Sequence, residues 1–180
     1  HIKRILCWII VMFSWASTAQ DKWMLDSENS FITYEASHFL HDWSGTNDDV
    51  KGVLVEQEGN FQKIAIAMYI RDFDSKNDNR DNNALEILEV LKFPKIEFFS
   101  EKITTATDSL SFNGELNFHG IKSNKTIFAS ATANENTFVL KGAFKMILSE
   151  FEVPLPSFML RKMEDEIAVK YTLQFKKPKR

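Results

Sequence analysis

Apolar and polar residues alternate along most of the chain. In residues 110–118 every second position is apolar or glycine, and residues 167–175 follow the same pattern with polar or small residues between. Successive side chains of a β-strand point to opposite faces, so this period of two predicts strands with one buried and one solvated face. Weaker versions of the pattern predict further strands around Trp23 and at residues 31–39, 51–56, 61–70, 95–103, 126–132 and 137–146.

Clusters of turn-forming residues separate these strands, such as GTNDD at residues 45–49 and QEGN at residues 57–60. No internal repeat and no linker rich in Pro, Gly or Ser divides the chain. The pattern therefore predicts one mainly β domain of eight or nine antiparallel strands. Strands in this number either close into a barrel or pack as a sandwich, and the alternation alone fits both.

Residues 77–100, with the sequence NDNRDNNALEILEVLKFPKIEFFS, depart from the strand pattern. Their apolar positions have helical spacing, with polar residues on the other face. These apolar positions are Ala84, Leu85, Ile87, Leu88 and Leu91. We predict one amphipathic helix of about three turns that covers one end or rim of the domain. Leu85, Leu88 and Leu91 are the residues expected to act as a lid.

The ends of this predicted helix carry recognisable signals. Asp78 and Asn79 can supply oxygens that cap the helix N-terminus, and Asp81 places negative charge near the positive end of the helix dipole. Pro94 cannot continue a helix and favours extended geometry at Phe93. We therefore expect the helix to lead directly into the strand that follows Pro94.

The N-terminal residues 1–19 have the features of a secretion signal. These features are Lys3 and Arg4, an apolar run over residues 5–13, and the small residues Ser17 and Ala19. A membrane-spanning helix needs roughly 20 apolar residues, so a retained anchor is the less favoured alternative. We predict that residues 20–180 form the mature domain, without a transmembrane anchor, in the periplasm or outside the cell.

Cysteine content and charge narrow the function classes. Cys7 is the only cysteine and lies within the predicted signal, so the mature chain has no disulfide and no cysteine-bound metal. Without Lys3 and Arg4, 20 basic and 25 acidic residues remain, a net charge of −5. This balance argues against a nucleic-acid partner.

No catalytic constellation stands out, and we predict that the protein is not an enzyme and needs no cofactor. No serine lies in a G-x-S-x-G motif and no glycine-rich phosphate loop occurs. His38, His41 and Asp42 lie close in sequence and could in principle bind a metal. Positions three apart on a strand face opposite sides, however, and no second cluster supplies further ligands, so no metal site is expected.

The buried faces of the predicted strands provide candidate ligand-binding residues. Thirteen are expected to line an apolar pocket: Ile32, Tyr34, Ile64, Ile66, Met68, Phe98, Phe112, Leu116, Phe118, Phe138, Phe144, Tyr171 and Leu173. Each of them could instead simply fill the core. Ala36, Gly114 and Gly142 fall on the same faces, and small residues among large ones favour space for a ligand chain. His38 and Arg80 are candidate contacts for a polar head group.

Several short motifs, in order along the chain, resemble the YceI-like family, also called polyisoprenoid-binding lipocalin-like proteins. The Arg80–Asp81 pair opens the helix, and a Phe-Pro step leads into a P-x-I-x-F-x-S strand. The opening strands place Trp23, Ser30 and His38 as in the family, and a later strand ends in His119–Gly120. The likeness covers nearly all of residues 22–175.

This resemblance implies an eight-stranded antiparallel lipocalin-like barrel with one helix. It also implies that the interior binds one small apolar ligand of the polyisoprenoid, isoprenoid-quinone or fatty-acyl type, for transport or storage. The alternative is a non-catalytic envelope interaction module with a filled barrel or a sandwich, and a homodimer is one assembly to consider. Two segments differ from the common family pattern, LSEFEVPLPSF at residues 148–158 and LHDWSGTNDDV at residues 40–50.

Overall fold

The structure, a computed structural model, describes residues 19–179. Apart from Ala19, the predicted secretion signal lies outside the described residues, and so does Cys7. Within residues 19–179, no helix combines the length and the apolar character that crossing a membrane would require.

Twelve strands occur in the described residues. They are β1 (Gln20–Leu25), β2 (Phe31–His38), β3 (His41–Asn47), β4 (Lys51–Gln57), β5 (Asn60–Tyr69), β6 (Lys95–Thr105), β7 (Ser109–Phe118), β8 (Ile121–Ala133), β9 (Thr137–Ile147), β10 (Ser157–Phe158), β11 (Arg161–Lys162) and β12 (Glu166–Lys176). Each strand predicted from the alternation is present.

Eight of these strands form a closed antiparallel barrel. The order is β1-β4-β5-β6-β7-β8-β9-β12, and β12 returns to β1. This last ladder pairs Met24 with Lys176 and Leu25 with Phe175, and we call it the closing seam. The closure confirms the predicted barrel, and it rules out the sandwich that the alternation had left open.

The first position of the barrel is shared by two strands. β1 pairs with β4, the chain then makes a short 3₁₀ turn at Ser27–Asn29, and β2 continues along β12. β2 also pairs with β3 over the whole of β3. Beyond β1, β2 and β3 therefore continue the sheet along β12.

The prediction that residues 45–49 form a turn was wrong, because residues 45–47 belong to β3. The Asn47 side chain is fully buried, and its amide nitrogen donates to Tyr69 O over 2.9 Å. Its side-chain oxygen accepts from Asp49 N, also over 2.9 Å. These partners allow a residue type that usually favours turns to complete a strand.

One end of the barrel is filled by side chains. The Trp23, Phe61 and Phe138 rings meet there, with centroids 4.8 Å apart for Phe61 and Phe138 and 6.3 Å for Trp23 and Phe138. Trp23 Nε1 donates to Glu56 Oε2 over 2.7 Å, which satisfies the polar atom of the indole. We call this the sealed end.

The opposite end carries the two longest connections of the barrel together with the β2–β3 turn, and we call it the mouth end. The β2–β3 turn, residues 70–94 between β5 and β6, and residues 148–165 between β9 and β12 all lie there, because neighbouring strands are antiparallel. Both segments that differ from the common family pattern therefore fall at the mouth end.

The predicted helix is α1 (Asp78–Ile87), the one α-helix of the described residues. Its cap differs from the prediction, because Asn77 is the N-cap and its side-chain oxygen accepts from Arg80 N over 3.0 Å. Asp78 and Asn79 instead occupy the first turn. Asp81 also lies in this first turn, and its Oδ2 accepts from Ser75 N over 3.0 Å.

The end of α1 also differs from the prediction. The helix stops at Ile87, well before Pro94, and Glu89 adopts a left-handed conformation with φ of 47°. The amides of Lys92 and Phe93 bond back to Glu89 O in a tight turn before β6 begins at Lys95. A left-handed residue ends an α-helix as effectively as a proline, and a sequence pattern shows it poorly when the residue is not glycine.

Candidate ligand-binding cavity

The barrel encloses a cavity of about 660 Å³ that extends from the mouth end. Twelve of the thirteen predicted pocket residues contribute to its wall. They are Ile32, Tyr34, Ile64, Ile66, Met68, Phe98, Phe112, Leu116, Phe118, Phe144, Tyr171 and Leu173. The period of two aims these side chains inward, and their role in binding a ligand stays a prediction.

Phe138 does not line the cavity. It lies at the sealed end, where its ring packs against Trp23 and Phe61. The alternation placed Phe138 on the inner face correctly but gave no position along the barrel axis, and that position decides whether an inward side chain fills the core or faces the cavity.

The cavity wall includes residues that were not predicted. Six continue the alternation of predicted strands and could have been found from it: Ile96, Ile127, Leu140, Met146, Ile167 and Val169. Others come from the connections at the mouth end: Ile70, Phe73, Val153, Pro154, Pro156, Ser157, Phe158 and Met163. The second group has no regular period, so the pattern gave no signal for it.

The small residues of the inner face act differently from the prediction. A Cβ at Gly142 would lie 2.4 Å from the Tyr171 hydroxyl, and one at Gly114 would lie 2.7 Å from the Phe98 ring. Backbone carbonyls are equally close, with Phe99 O 2.4 Å from the added Cβ at Gly114 and Phe128 O 2.5 Å from that at Gly142. A neighbouring aromatic side chain and a carbonyl therefore occupy the space left by each glycine. Of the three small residues, only Ala36 lines the cavity.

Helix α1 forms one side of the mouth. Leu85 and Leu88 are half-buried, pack against the core and line the cavity together with Ala84 and Ile87. Leu91, the third predicted lid residue, is fully exposed because the helix has already ended at Ile87. Leu91 therefore does not line the mouth, and the prediction that it acts as a lid residue was wrong.

Arg80 lines the mouth on the first turns of α1 and is half-buried. Its guanidinium lies 3.5 Å from Ser75 Oγ and 5.6 Å from the centre of the Trp43 ring. Burial raises the pKa of nearby Tyr34, and the negative charge of Asp81 adds to this effect. The mouth lining thus combines the Arg80 cation and a phenol with two carboxylates of α1, and Arg80 is the group there that suits an acidic or polar head group.

His38 also lines the mouth, but its ring nitrogens already contact backbone atoms. Nδ1 accepts from Leu40 N at 3.4 Å, and Nε2 lies 3.1 Å from Arg161 O, so the proton is on Nε2. These contacts join the β2–β3 turn to β11. A head-group role for His38 stays a prediction, and its nitrogens are less available than the Arg80 guanidinium.

His38 and His41 are close in space, contrary to the argument that they face opposite sides. A two-residue turn separates them, which makes them the last cross-strand pair of β2 and β3, and their ring centres are 5.9 Å apart. Within residues 19–179, no group of three or more His, Cys, Asp or Glu side chains is arranged to hold a metal.

The buried polar side chains of the described residues all have hydrogen-bond partners. Tyr171 is an example, because its hydroxyl donates to Phe128 O over 2.7 Å, and burial raises the pKa of this phenol. His119 lies outside the cavity, where Nδ1 contacts Phe151 O at 2.8 Å and Nε2 contacts Glu89 Oε2 at 3.1 Å. The interior is therefore mainly apolar, and its buried polar groups already have hydrogen-bond partners within the protein.

Comparison with protein families supports this architecture. The model of the YceI-like domain matches residues 23–175. The chain belongs to the YceI-like family. A search of curated proteins found no significant match.

Solved structures with the YceI-like fold superpose on this chain at low sequence identity. BcnA of Burkholderia cenocepacia has a TM-score of 0.75 at 15% identity, covering 83% of this chain and 98% of BcnA. A polyisoprenoid binding domain of Saccharophagus degradans, implicated in plant cell wall breakdown, has a TM-score of 0.71 at 9% identity, covering 87% and 98%. The YceI protein of Campylobacter jejuni has a TM-score of 0.65 at 16% identity, covering 75% and 85%.

Proposed function

We propose that this YceI-like protein binds one long apolar molecule in its cavity and carries or stores it without catalysis. The observation that carries the proposal is the apolar cavity of about 660 Å³ inside a closed barrel. Pockets of roughly 300–1,000 Å³ suit one small ligand. The domain of Saccharophagus degradans is described as polyisoprenoid binding, which supports an isoprenoid or fatty chain as the ligand class.

The binding energy follows from burial of the chain. Each methylene transferred from water contributes about 0.8 kcal/mol, so about ten buried methylenes give about 8 kcal/mol before the cost of association is subtracted. Micromolar affinity corresponds to about 8 kcal/mol after that cost, so a longer buried chain or a polar contact must offset the cost of association. We propose that the Arg80 side chain, which lines the mouth, binds a polar end group and orients the ligand with its tail toward the sealed end.

The alternative function, an interaction module, assumed a filled barrel or a sandwich. The cavity and the closed strand order remove the support for both forms. The absence of catalysis is part of the proposal, and it is supported by a wall made mainly of aliphatic and aromatic side chains. We also propose export to the periplasm or beyond, supported by the charged, apolar and small residues of positions 1–19. A homodimer stays a prediction.

The cavity can be tested with two substitutions of equal size. Ala36 is buried and lines the cavity, so Ala36→Phe places a ring in the ligand space. Ala143 is exposed on the outer face of β9, so Ala143→Phe adds the same ring outside the barrel. After removal of copurified lipid, binding of palmitate and decylubiquinone is measured by calorimetry, and native mass spectrometry reports the bound mass.

We expect Ala36→Phe to weaken binding of the tighter probe about tenfold or more and Ala143→Phe to leave it unchanged. Circular dichroism and thermal melts check that both variants are folded. If the unaltered protein binds neither probe and purifies without a bound lipid, the proposal is wrong. Equal effects of the two substitutions would place the ligand outside the cavity.

A further inference from the structure

Two turns at the mouth end expose a group of large apolar side chains, which we call the tip patch. Its members are Phe39 and Leu40 of the β2–β3 turn and Phe158, Met159 and Leu160 of the β10–β11 hairpin. Their exposed fractions run from 47% for Phe39 to 103% for Leu160. Folded soluble proteins rarely group this many exposed large apolar residues without a function.

The two turns are joined to each other. The His38 ring packs against Phe39 and Phe158, with centroids 4.5 and 6.2 Å away. The guanidinium of Arg161 lies 4.7 Å from the centre of the Phe39 ring. Further along, Glu164 N donates to Ser37 O over 2.9 Å. The tip patch is therefore one surface held by contacts between the hairpins.

Met159 and Leu160 occupy positions that ordinarily favour other residues. Both have positive φ, 51° and 65°, in a two-residue hairpin loop between paired Phe158 and Arg161. Positive φ at both loop residues is the pattern of a type I′ turn, in which Asn-Gly is preferred. Two large apolar side chains here cost conformational energy and gain nothing from burial. Local folding preferences therefore do not explain them, whereas insertion into an apolar medium would.

The tip patch borders the opening of the cavity. Phe158 belongs both to the patch and to the cavity wall, and His38 and His41 line the wall directly beside the β2–β3 turn. Arg161 and Lys162 flank the patch on β11, and the nearest acids in sequence are Asp42 and Glu164. Exposed apolar tips with flanking cations are the features of a surface that enters the headgroup region of a lipid bilayer.

We propose that the tip patch docks this protein on a lipid bilayer, with the cavity mouth facing the membrane. Phe39, Leu40, Met159 and Leu160 enter the interface, and Arg161 and Lys162 contact lipid phosphates. Apolar insertion provides most of the affinity, because Asp42 and Glu164 offset part of the positive charge. Docking itself is independent of the cavity ligand, whereas passage of a chain between bilayer and cavity rests on the proposed function.

The test uses the preferred turn residues as the substitution. Met159→Asn with Leu160→Gly installs the favoured type I′ sequence, so the hairpin should remain folded while its apolar tips are lost. Phe128→Ser is the matched control, because Phe128 is 65% exposed on β8, outside both the patch and the cavity wall. The probes are vesicles of phosphatidylcholine, with and without phosphatidylglycerol, and binding is measured by cosedimentation.

We expect the double variant to lose vesicle binding about tenfold or more and Phe128→Ser to retain it. Lys162→Gln should reduce only the added binding that phosphatidylglycerol provides. No vesicle binding by the unaltered protein, or equal binding by the double variant, would overturn the proposal. So would a loss of self-association in the double variant without a change in vesicle binding, which would assign the patch to a second copy of the chain.

Vesicle binding and palmitate binding, measured on the same variants, separate membrane docking from the proposed ligand-binding function. Ala36→Phe should bind vesicles normally while losing palmitate, and the double turn variant should bind palmitate normally in the absence of vesicles. If Ala36→Phe fails to bind vesicles although it is folded, docking depends on the cavity ligand, and the independent docking surface proposed here is refuted.

Discussion

The hydroxyl of Tyr171 on β12 reaches across β9 and donates a hydrogen bond of 2.7 Å to Phe128 O on β8. The ring passes over Gly142, its cross-strand partner. The register between β8 and β9 ends at the pair Ser130 and Lys141, so Phe128 lies beyond the last pair of that ladder. Tyr171 therefore links β12 to β8 where the main-chain ladder between β8 and β9 has stopped.

Substitution of Gly142 by alanine tests this arrangement. The added Cβ would lie 2.4 Å from the Tyr171 hydroxyl and 2.5 Å from Phe128 O. Because the carbonyl cannot move without distorting β8, we expect a loss of about 1–3 kcal/mol in the free energy of unfolding. Urea denaturation measures it. Ala143→Ser, on the outer face of β9, is the control and should stay within about 0.5 kcal/mol of the parent.

Tyr171→Phe keeps the ring and removes only the hydroxyl. The expected loss is about 1–3 kcal/mol, because Phe128 O would lose its side-chain donor in a half-buried position. Combining Tyr171→Phe with Gly142→Ala should cost less than the sum of the two, since the hydroxyl is one source of the steric conflict. Full additivity in the same urea experiment would contradict the contact described here.

The predicted role of α1 as a lid can be tested with two leucines three positions apart. Leu88 lines the cavity, whereas Leu91 is fully exposed. Leu88→Asp should speed release of a bound palmitate analogue about tenfold, because an ionised carboxylate weakens the packing of α1 on the mouth. Leu91→Asp should leave the release rate unchanged. Stopped-flow fluorescence measures release. An unchanged release rate in a folded Leu88→Asp variant would show that α1 does not help to retain the ligand.

The strands and the helix were predictable because burial of one face imposes a regular period. Residues 110–118 and 167–175 alternate since each has the barrel interior on one side and solvent on the other. Strand β3 escaped prediction because GTN at residues 45–47 has turn composition, and the strand depends on tertiary bonds of Asn47 to Tyr69 and Asp49. Contacts between distant residues overrode local preference here.

The cavity wall was predictable in part for the same reason. Alternation selects the inner face, and twelve of the thirteen predicted residues are on the wall. Alternation does not give the position of a residue along the barrel axis. It therefore could not show that Phe138 lies at the sealed end, against Trp23 and Phe61. Residues 153–158 follow no period, since irregular backbone positions each side chain separately. The space at Gly114 and Gly142 is likewise decided by neighbouring aromatic side chains and backbone carbonyls, which the sequence pattern does not show.

Arg80 provides a test for the head group of the ligand. The Arg80→Gln substitution replaces the cation at the mouth with a neutral polar side chain. We expect it to weaken palmitate binding about tenfold and to leave hexadecanol binding within about twofold, because only the acid is ionised. Calorimetry at neutral pH measures both. Equal losses for the acid and the alcohol would show that Arg80 supports the mouth rather than contacting a charge.

Asp26 lies beside the closing seam, and we predict that it makes the stability of the folded protein depend on pH. A hydrogen bond from Asn29 lowers the pKa of Asp26 below its ordinary value of 3.8, and Lys176, 3.0 Å away, adds to this effect. A lowered folded-state pKa gives stability that is fully present above pH 3.8 and is lost as the pH falls through the folded value. Asp26→Asn should therefore be less stable than the parent at pH 7.

The urea midpoints of the parent and of Asp26→Asn should approach each other below the ordinary carboxyl pKa. Asp108→Asn, an exposed bend residue, is the matched control. A difference between parent and Asp26→Asn that stays constant from neutral to acidic pH would show that the carboxylate charge is not what Asp26 contributes. The comparison with the control removes the general effect of one fewer negative charge.

The closing seam also constrains when the barrel can form. It joins Met24 and Leu25 of β1 to Lys176 and Phe175 of β12. The ladder between the first and last described strands therefore cannot form until β12 is present. β5 to β9 form a run of neighbours that can assemble by local hairpins, but the cylinder stays an open, twisted sheet until β12 arrives. Contacts so distant in sequence slow folding. Until that final step the apolar inner face is unprotected, which makes the nascent sheet a natural client for a chaperone.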